Sequence, residues 1–198
     1  MTISTNLQLP ANFTSDQNCQ FEIRAAQIED VPGLTDILAD SFHSQEGVLG
    51  WTYPFLKLGI YEDLRNRLRT TTRHHICLVA ADCSVKGDRL AGIVELSLRS
   101  KNPFTNQRFP YISNLAVRRH YRRRGVAQQM LLKCEQIALV WEYQDLYLHV
   151  LENNHQARQL YCKLGYQLEQ VDFNWSTWLL GRPRQILLHK QLEAGCMR

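Results

Sequence analysis

A run of arginines followed by small residues is the part of this sequence best suited to bind an anion. Positions 118 to 124 read Arg-Arg-His-Tyr-Arg-Arg-Arg, and Gly125, Val126 and Ala127 follow. A helical pattern begins near here, so the first-turn N–H groups lack partners and, with the helix dipole, favour an anion such as pyrophosphate. Gly125 would let the backbone approach that anion closely, and the small Ala127 would serve the same purpose.

This Arg-x-x-Gly-x-Ala spacing leaves several interpretations open when it is taken alone. The sequence has neither the longer glycine-rich loop ending in Gly-Lys-Ser/Thr nor a Gly-x-Gly-x-x-Gly turn. A helix with a solvated basic first turn explains the pattern about as well as a phosphate site does. A nucleic-acid-binding module is disfavoured, because no recognised binding motif and no interleaving of aromatic and basic residues accompany the run.

Four polar side chains elsewhere in the sequence could contribute to acid–base chemistry. Asn154 and Tyr161 are seven residues apart, with Ala157 between them at i+3, so one helix face would carry all three. His149 lies within an apolar strand-like segment, where a lone histidine is more often a core residue than a base. Glu95 lies on another predicted strand. If it faces a cleft, burial should raise its pKa, but alternation alone cannot fix which face it takes.

The elements that must position these residues form an α+β pattern. Alternating or continuous apolar runs predict seven strands, at Phe21–Ala25, His75–Ala81, Leu90–Arg99, Tyr111–Arg118, Leu146–Leu151, Gln167–Asp172 and Gln185–Leu192. Apolar stripes predict four helices, at Val31 to Phe42, Ile60 to Leu68, from near Arg124 to Trp141, and Asn154 to Leu164. A turn at Lys86–Asp88 joins strands two and three, and a polar loop from Ser100 to Arg108 leads to strand four, so the three strands are expected to be consecutive and antiparallel.

Composition is that of one globular domain. The chain has 198 residues, is 44% hydrophobic and 21% charged, and carries a formal net charge of +4. Residues 1–20 contain neither Lys nor Arg, which predicts a flexible tail rather than a secretory or transit signal. We expect a single domain over 21–198 and a cytoplasmic location. No apolar run reaches the roughly 20 residues of a membrane span. Six cysteines without a C-x-x-C pair indicate reduced thiols, and we expect no metal site.

Four segments together resemble the GNAT superfamily of acyltransferases in order and spacing, and N-terminal protein acetyltransferases most of all. They are Tyr111–Val117, Arg122–Ala127, Leu146–Val150, and Asn154-x-x-Ala157-x-x-x-Tyr161-x-x-x-Gly165-Tyr166. The resemblance implies a mixed, mostly antiparallel sheet of about seven strands flanked by about four helices. It also implies that two central strands splay apart and that acetyl-CoA is the co-substrate.

The resemblance also assigns the residues that hold acetyl-CoA. Leu115 and Val117 would offer backbone groups to the pantetheine arm, and the amides from Arg123 to Gln128 would hold the pyrophosphate. The full expected set is Leu115, Ala116, Val117, Arg122, Arg123, Arg124, Gly125, Val126, Ala127, Gln128, Asn154, Ala157 and Tyr161.

The catalytic roles likewise follow from the resemblance. Tyr161 would give a proton to the departing sulfur, and His149 would act as base together with Tyr111 through an ordered water. Glu95 is the rival base, because some protein-lysine acetyltransferases of the superfamily place a carboxylate on a central strand. Two loops over the acceptor groove would carry aromatic rings, at Trp51, Tyr53, Phe55, Trp175 and Trp178. Each of these rings taken singly is equally compatible with ordinary core packing.

The acceptor is expected to be the α-amine of a protein or peptide. Neutralising an α-amine with a pKa near 8 at pH 7 costs about 1 kcal/mol, whereas a lysine near 10.4 costs roughly 4.6 kcal/mol. A histidine acting through water suits the smaller task better, although lysine is not excluded. The alternative is a small-molecule amine such as a polyamine. The protein is expected to be a monomer or homodimer that binds neither nucleic acid nor membrane.

Overall fold

The computed structural model describes residues 20–43, 53–70, 74–84, 89–100, 107–171 and 183–193. The strands are β1 Phe21–Ala25, β2 His75–Asp82, β3 Arg89–Ser100, β4 Arg108–Val117, β5 Asp145–Leu151, β6 Gln167–Val171 and β7 Gln185–Gln191. The helices are α1 Val31–His43, α2 Tyr53–Arg69, α3 Val126–Val140 and α4 His155–Lys163. The predicted α+β class with seven strands and four helices is confirmed.

The strands form one sheet in the order β1-β2-β3-β4-β5-β7-β6. Every neighbouring pair is antiparallel except β4 and β5, which are parallel. These two strands pair only at Tyr111 with Tyr147 and at Ile112 with Leu148, and then separate. The expected splay of the central strands and the antiparallel order of β2, β3 and β4 are therefore confirmed.

Helices cover both faces of the sheet, and each face has its own apolar core. Met130, Leu131 and Cys134 of α3 are fully buried in the larger core, which also contains residues from β2 to β5 and from α4. Leu34 and Ile37 of α1 belong to a second core with β2 and β3. The helical apolar spacing thus matches the buried stripe that each helix presents to the sheet.

Several predicted boundaries move by a few residues. α2 begins at Tyr53, seven residues before the apolar stripe that predicted it, and β4 begins at Arg108 rather than Tyr111. α3 begins at Val126, because Gly125 has a φ of 81° and is the N-cap rather than a helical residue. The predicted turn at Lys86–Asp88 and the expected tail up to residue 19 lie outside the described residues.

In the part of the chain that the structure describes, no helix is both long enough and apolar enough to cross a membrane. Within the same ranges no group of three or more His, Cys, Asp or Glu side chains is arranged to hold a metal ion. The four cysteines that these ranges contain, Cys77, Cys83, Cys134 and Cys162, are free thiols.

Candidate active site

A cavity of about 1840 Å³ opens where β4 and β5 separate. Its walls are the carboxyl ends of these two strands, the turn from β4 into α3, one face of α4 and part of α1. This volume exceeds the roughly 300–1,000 Å³ of common small-molecule pockets, so the cleft suits a long ligand. Its position follows the rule that ligands bind where neighbouring strands diverge at their carboxyl ends.

A bulge turns β4 away from β5 at the cavity. Across β3 and β4, Ile93 faces Ala116 and Glu95 faces Ser113, so β4 carries one extra residue in this interval. Asn114 lies in it with a φ of 53°, a conformation that asparagine adopts more readily than most residues. From position 113 to 117, β4 does not pair with β5, and this edge can offer backbone groups to the amides of a pantetheine arm.

The turn after β4 presents the start of α3 to the same cavity. Arg122 Nε donates to the Val117 carbonyl at 3.2 Å, and Arg123 has a φ of 65°. Gly125 provides no side-chain cap to α3, so the first amides of the helix have no intrahelical acceptor. The dipole of the 15-residue helix adds positive potential at this point. Backbone amides and arginine side chains are thus placed where they could together bind a diphosphate.

The structure brings twelve of the thirteen expected donor-binding residues to the cavity wall. These are Leu115, Ala116, Val117, Arg122, Arg123, Gly125, Val126, Ala127, Gln128, Asn154, Ala157 and Tyr161. The exception is Arg124, whose guanidinium lies over the ring of Tyr121 at 5.7 Å from its centroid. Its side chain is therefore directed away from the cavity wall, and its role in binding the donor stays a prediction.

Tyr111 and His149 form a directly bonded pair at the point where the strands part. Tyr111 Oη lies 2.8 Å from His149 Nδ1, so the two side chains touch instead of being bridged by the expected water. His149 lines the cavity, and Tyr111 is 7% exposed. The guanidinium of Arg99 lies 3.6 Å from the centroid of the Tyr111 ring. A histidine and a phenol in such contact can share a proton.

Tyr161 reaches the cavity from α4. Asn154 caps this helix, its Oδ1 accepting from the Ala157 amide at 3.2 Å, and the next turns place Tyr161 against the core. Burial, with a smaller contribution from Tyr111, raises the pKa of Tyr161 to about 12. The phenol therefore keeps its proton at neutral pH and is available to donate a hydrogen bond.

Glu95 lies behind the bulge and is not part of the cavity wall. Its carboxylate accepts from Arg67 Nη1 at 2.6 Å and lies 3.4 Å from His75 Nε2. Burial alone would raise the pKa of Glu95, but the hydrogen bond to His75 and the charge of Arg67 outweigh it and lower the pKa below its usual value. A high pKa is expected only of a Glu95 that faces the cleft, and here Glu95 neither lines the cleft nor has a raised pKa.

The structure describes few of the aromatic residues expected around the acceptor. Phe55, on the first turn of α2, is 71% exposed. The backbone of Tyr53 begins α2, but its side chain lies outside the described part of the chain, as do Trp51, Trp175 and Trp178 altogether. The acceptor role of all five remains a prediction.

Other cavity residues were missed by the sequence reasoning. Leu38 and Ser41 of α1 and Lys163 at the end of α4 line the cleft, as does Asn114. An asparagine that interrupts an apolar strand is a recognisable sign of a bulge, so Asn114 could have been found from the sequence. Leu38 and Ser41 carry no such sign, because they belong to an ordinary amphipathic pattern.

Comparison with known proteins identifies the family of this chain. The family model described as "Acetyltransferase (GNAT) family" matches residues 33–166, more than half of the chain. GCN5-related N-acetyltransferase 10, chloroplastic, of Arabidopsis thaliana is 23% identical over 176 residues, which cover 83% of this chain and 69% of the relative. The alignments with four further curated relatives from the same plant cover 59% or less of each relative's own length.

Solved structures share the fold. The PaiA N-acetyltransferase of Thermoplasma acidophilum, in complex with coenzyme A, has a TM-score of 0.66 at 19% identity, covering 87% of this chain and 99% of that one. A spermidine N-acetyltransferase chimera from Vibrio cholerae and hSSAT has a TM-score of 0.62 at 16% identity, covering 87% and 96%. With the matched family model and the cleft between β4 and β5, the conclusion is that the chain belongs to the acetyltransferase (GNAT) family of acetyl-CoA-dependent enzymes.

Proposed function

We propose that this enzyme transfers the acetyl group of acetyl-CoA to the α-amine of a protein or peptide, with lysine side chains as slower acceptors. The observation that carries the proposal is the direct contact of Tyr111 Oη with His149 Nδ1 where β4 and β5 begin to separate. The finer assignment rests on the residues of the site, because the relatives and structures above support acetyl transfer without specifying this acceptor.

The donor site would hold acetyl-CoA along β4 and α3. When bound, this molecule supplies an activated thioester. The unpaired edge of β4 at positions 113 to 117 would bind the pantetheine amides. The first amides of α3 and the side chains of Arg122 and Arg123 would bind the diphosphate. These contacts fix the thioester beside His149 and Tyr161, which line the same cavity.

The Tyr111–His149 pair would take the proton that the attacking ammonium must lose. The two groups are already in contact, so a proton accepted at one can be passed to the other without an intervening water. The cation of Arg99 above the Tyr111 ring stabilises negative charge that develops on the phenol oxygen. This arrangement suits an amine that needs only about 1 kcal/mol to become neutral at pH 7.

Tyr161 would stabilise the departing sulfur. Its pKa of about 12 is above the roughly 8.5 of an alkyl thiol. Giving up the proton entirely would therefore cost about 5 kcal/mol, at 1.36 kcal/mol for each pKa unit. We infer that the phenol donates a hydrogen bond to the thiolate and that the thiol collects its final proton on release.

A panel of acceptors tests the proposal. Release of free coenzyme A would be followed with three matched substrates: a lysine-free peptide with a free α-amine, the same peptide with a blocked α-amine and one internal lysine, and spermidine. The proposal expects the first to react fastest, and mass spectrometry should place the acetyl group on its α-amine. Turnover of spermidine with no turnover of either peptide would overturn it in favour of the small-molecule alternative.

The compartment and the oligomeric state need their own tests. The cytoplasm is our proposed location, while the names of the curated relatives contain the word chloroplastic. Fractionation of the source cells with an antibody to the chain would decide between them. Gel filtration with light scattering would separate a monomer from a homodimer.

A further inference from the structure

The turn that ends α4 joins Tyr161 to Tyr166. The Tyr166 amide donates to the Tyr161 carbonyl at 3.0 Å, and the Gly165 amide donates to the Cys162 carbonyl at 3.0 Å. Gly165 has a φ of 87°, the left-handed conformation that this pair of bonds requires and that glycine adopts without strain. These features define a Schellman motif, in which the side chains of the two residues joined by the outer bond commonly pack together.

In this motif the two packed side chains are both aromatic. The ring centroids of Tyr161 and Tyr166 are 5.8 Å apart and the ring planes are at 62°, which is an edge-to-face contact. Tyr161 is 6% exposed and Tyr166 is 4% exposed, and both belong to the larger apolar core. Tyr161 lines the donor cavity, whereas Tyr166 is not part of its wall. Tyr166 therefore contacts Tyr161 from the core rather than from the cavity.

An ion pair between α3 and β7 holds Tyr166 in turn. Lys190 Nζ on β7 lies 5.6 Å from the centroid of the Tyr166 ring and donates to Glu135 Oε2 on α3 at 2.7 Å. Glu135 is buried, and the lysine compensates its charge. The same cation is attracted to the face of the Tyr166 ring. The ring that packs on Tyr161 is thus contacted from outside α4.

We propose that Tyr166 is a positioning residue for acetyl transfer: its ring holds the Tyr161 side chain in the orientation in which the phenol reaches the thioester sulfur. Tyr166 does not line the cleft, so it would act only through Tyr161. Any apolar side chain could fill the same space, but an edge-to-face contact also favours one relative orientation of the two rings. The proposal rests on the role proposed above for Tyr161 at the departing sulfur and is independent of which amine is acetylated.

A double-mutant cycle of Tyr166→Leu and Tyr161→Phe tests this role, with kcat measured on whichever acceptor of the panel reacts fastest. Tyr166→Leu keeps an apolar side chain and removes the ring. We expect kcat to fall about tenfold, because a misplaced proton donor is less effective, and the acetyl-CoA affinity from calorimetry to stay within about twofold. In the Tyr161→Phe background the same substitution should lower kcat by less than about twofold, because the hydroxyl that it misplaces is already absent.

Other outcomes of the cycle would overturn the proposal. An equal fold loss of kcat in both backgrounds would show general disruption of the core, which a purely structural role predicts. Wild-type kcat in Tyr166→Leu would show that the ring is not needed. Wild-type kcat in Tyr161→Phe would disprove the role proposed for Tyr161 and the positioning role with it. Turnover of spermidine without turnover of either peptide would instead disprove the acceptor assignment alone.

Conservative variants separate the ring of Tyr166 from its hydroxyl. Tyr166→Phe keeps the ring and removes a buried hydroxyl that has no hydrogen-bond partner among the described residues. It should therefore restore kcat to within about twofold of the wild type, and a loss as large as that of Tyr166→Leu would overturn the proposal. If Tyr166→Leu does not fold, Tyr166→Met takes its place in the cycle, because the flexible methionine side chain fills irregular space in a core.

Discussion

Replacing Gly125 with alanine should strain the protein and weaken donor binding. Gly125 has a φ of 81°, and an L-residue in the left-handed region costs about 1–2 kcal/mol. Space is not the obstacle, because the nearest atom to an added Cβ is Gln129 Nε2 at 4.0 Å. For a chain of this size that strain lowers the melting temperature by roughly 2–8 °C. The added methyl group would also hold a diphosphate away from the α3 amides, so we expect about tenfold weaker acetyl-CoA binding.

Substitution by alanine at two other glycines should have different effects. Gly59 lies in α2 with nothing within 4 Å of an added Cβ, so Gly59→Ala should stabilise the protein by about 0.5–1 kcal/mol and leave donor binding unchanged. At Gly92 an added Cβ would lie 2.8 Å from both the Ala116 carbonyl oxygen and Met130 Cε. Because that oxygen belongs to the neighbouring strand, Gly92→Ala should destabilise the fold most.

Thermal denaturation of the three alanine variants, followed by calorimetry with acetyl-CoA, checks this series. The reasoning is refuted if Gly125→Ala binds the donor as tightly as the wild type. It is also refuted if Gly59→Ala and Gly125→Ala shift the melting temperature in the same direction.

Three further predictions concern single side chains. Tyr161→Phe should lower kcat by about 10²-fold with little change in acetyl-CoA affinity, because the lost hydrogen bond acts on the leaving sulfur. Steady-state kinetics measure kcat, and calorimetry measures the affinity. Tyr111→Phe and His149→Ala should each lower kcat. In the double variant kcat should fall little further than in the worse single variant, because the pair acts as one unit. Additive losses of kcat would argue for separate roles. Burial raises the pKa of Asp30, but hydrogen bonds from Arg24 and a backbone amide outweigh it and lower the pKa. The Asp30 carboxylate therefore stabilises the fold above the ordinary aspartate pKa near 3.9, and this stabilisation is lost as the pH falls further. Asp30→Asn should have a lower free energy of unfolding than the wild type at pH 7, and the difference should shrink near pH 3. Denaturant titrations at both pH values measure this difference.

Most of the fold could be predicted because its signals are local. β1 was predicted at its observed limits from the alternation of Phe21 to Ala25. The buried stripe of α3 also follows from residue spacing within one element. The same holds for the donor site, since its turn and helix start are contiguous along the chain.

The remaining features depend on contacts between distant positions. Tyr111 and His149 are 38 residues apart, and their direct bond follows from the register of β4 against β5. Glu95 finds Arg67 on a helix 28 residues earlier, a contact that alternation within β3 cannot indicate. The sequence pattern therefore indicated Glu95 as a carboxylate close to the active site, whereas its partner Arg67 and its lowered pKa depend on the packing of α2 against the sheet.

The divergence of β4 from β5 gives the sheet an edge in its interior. An outer edge with free N–H and C=O groups is a template onto which other chains can add and aggregate. Here those groups lie between α3 on one face of the sheet and α1 on the other, inside the cavity. The interior edge is therefore flanked by helices, whereas an outer edge strand is open along its side.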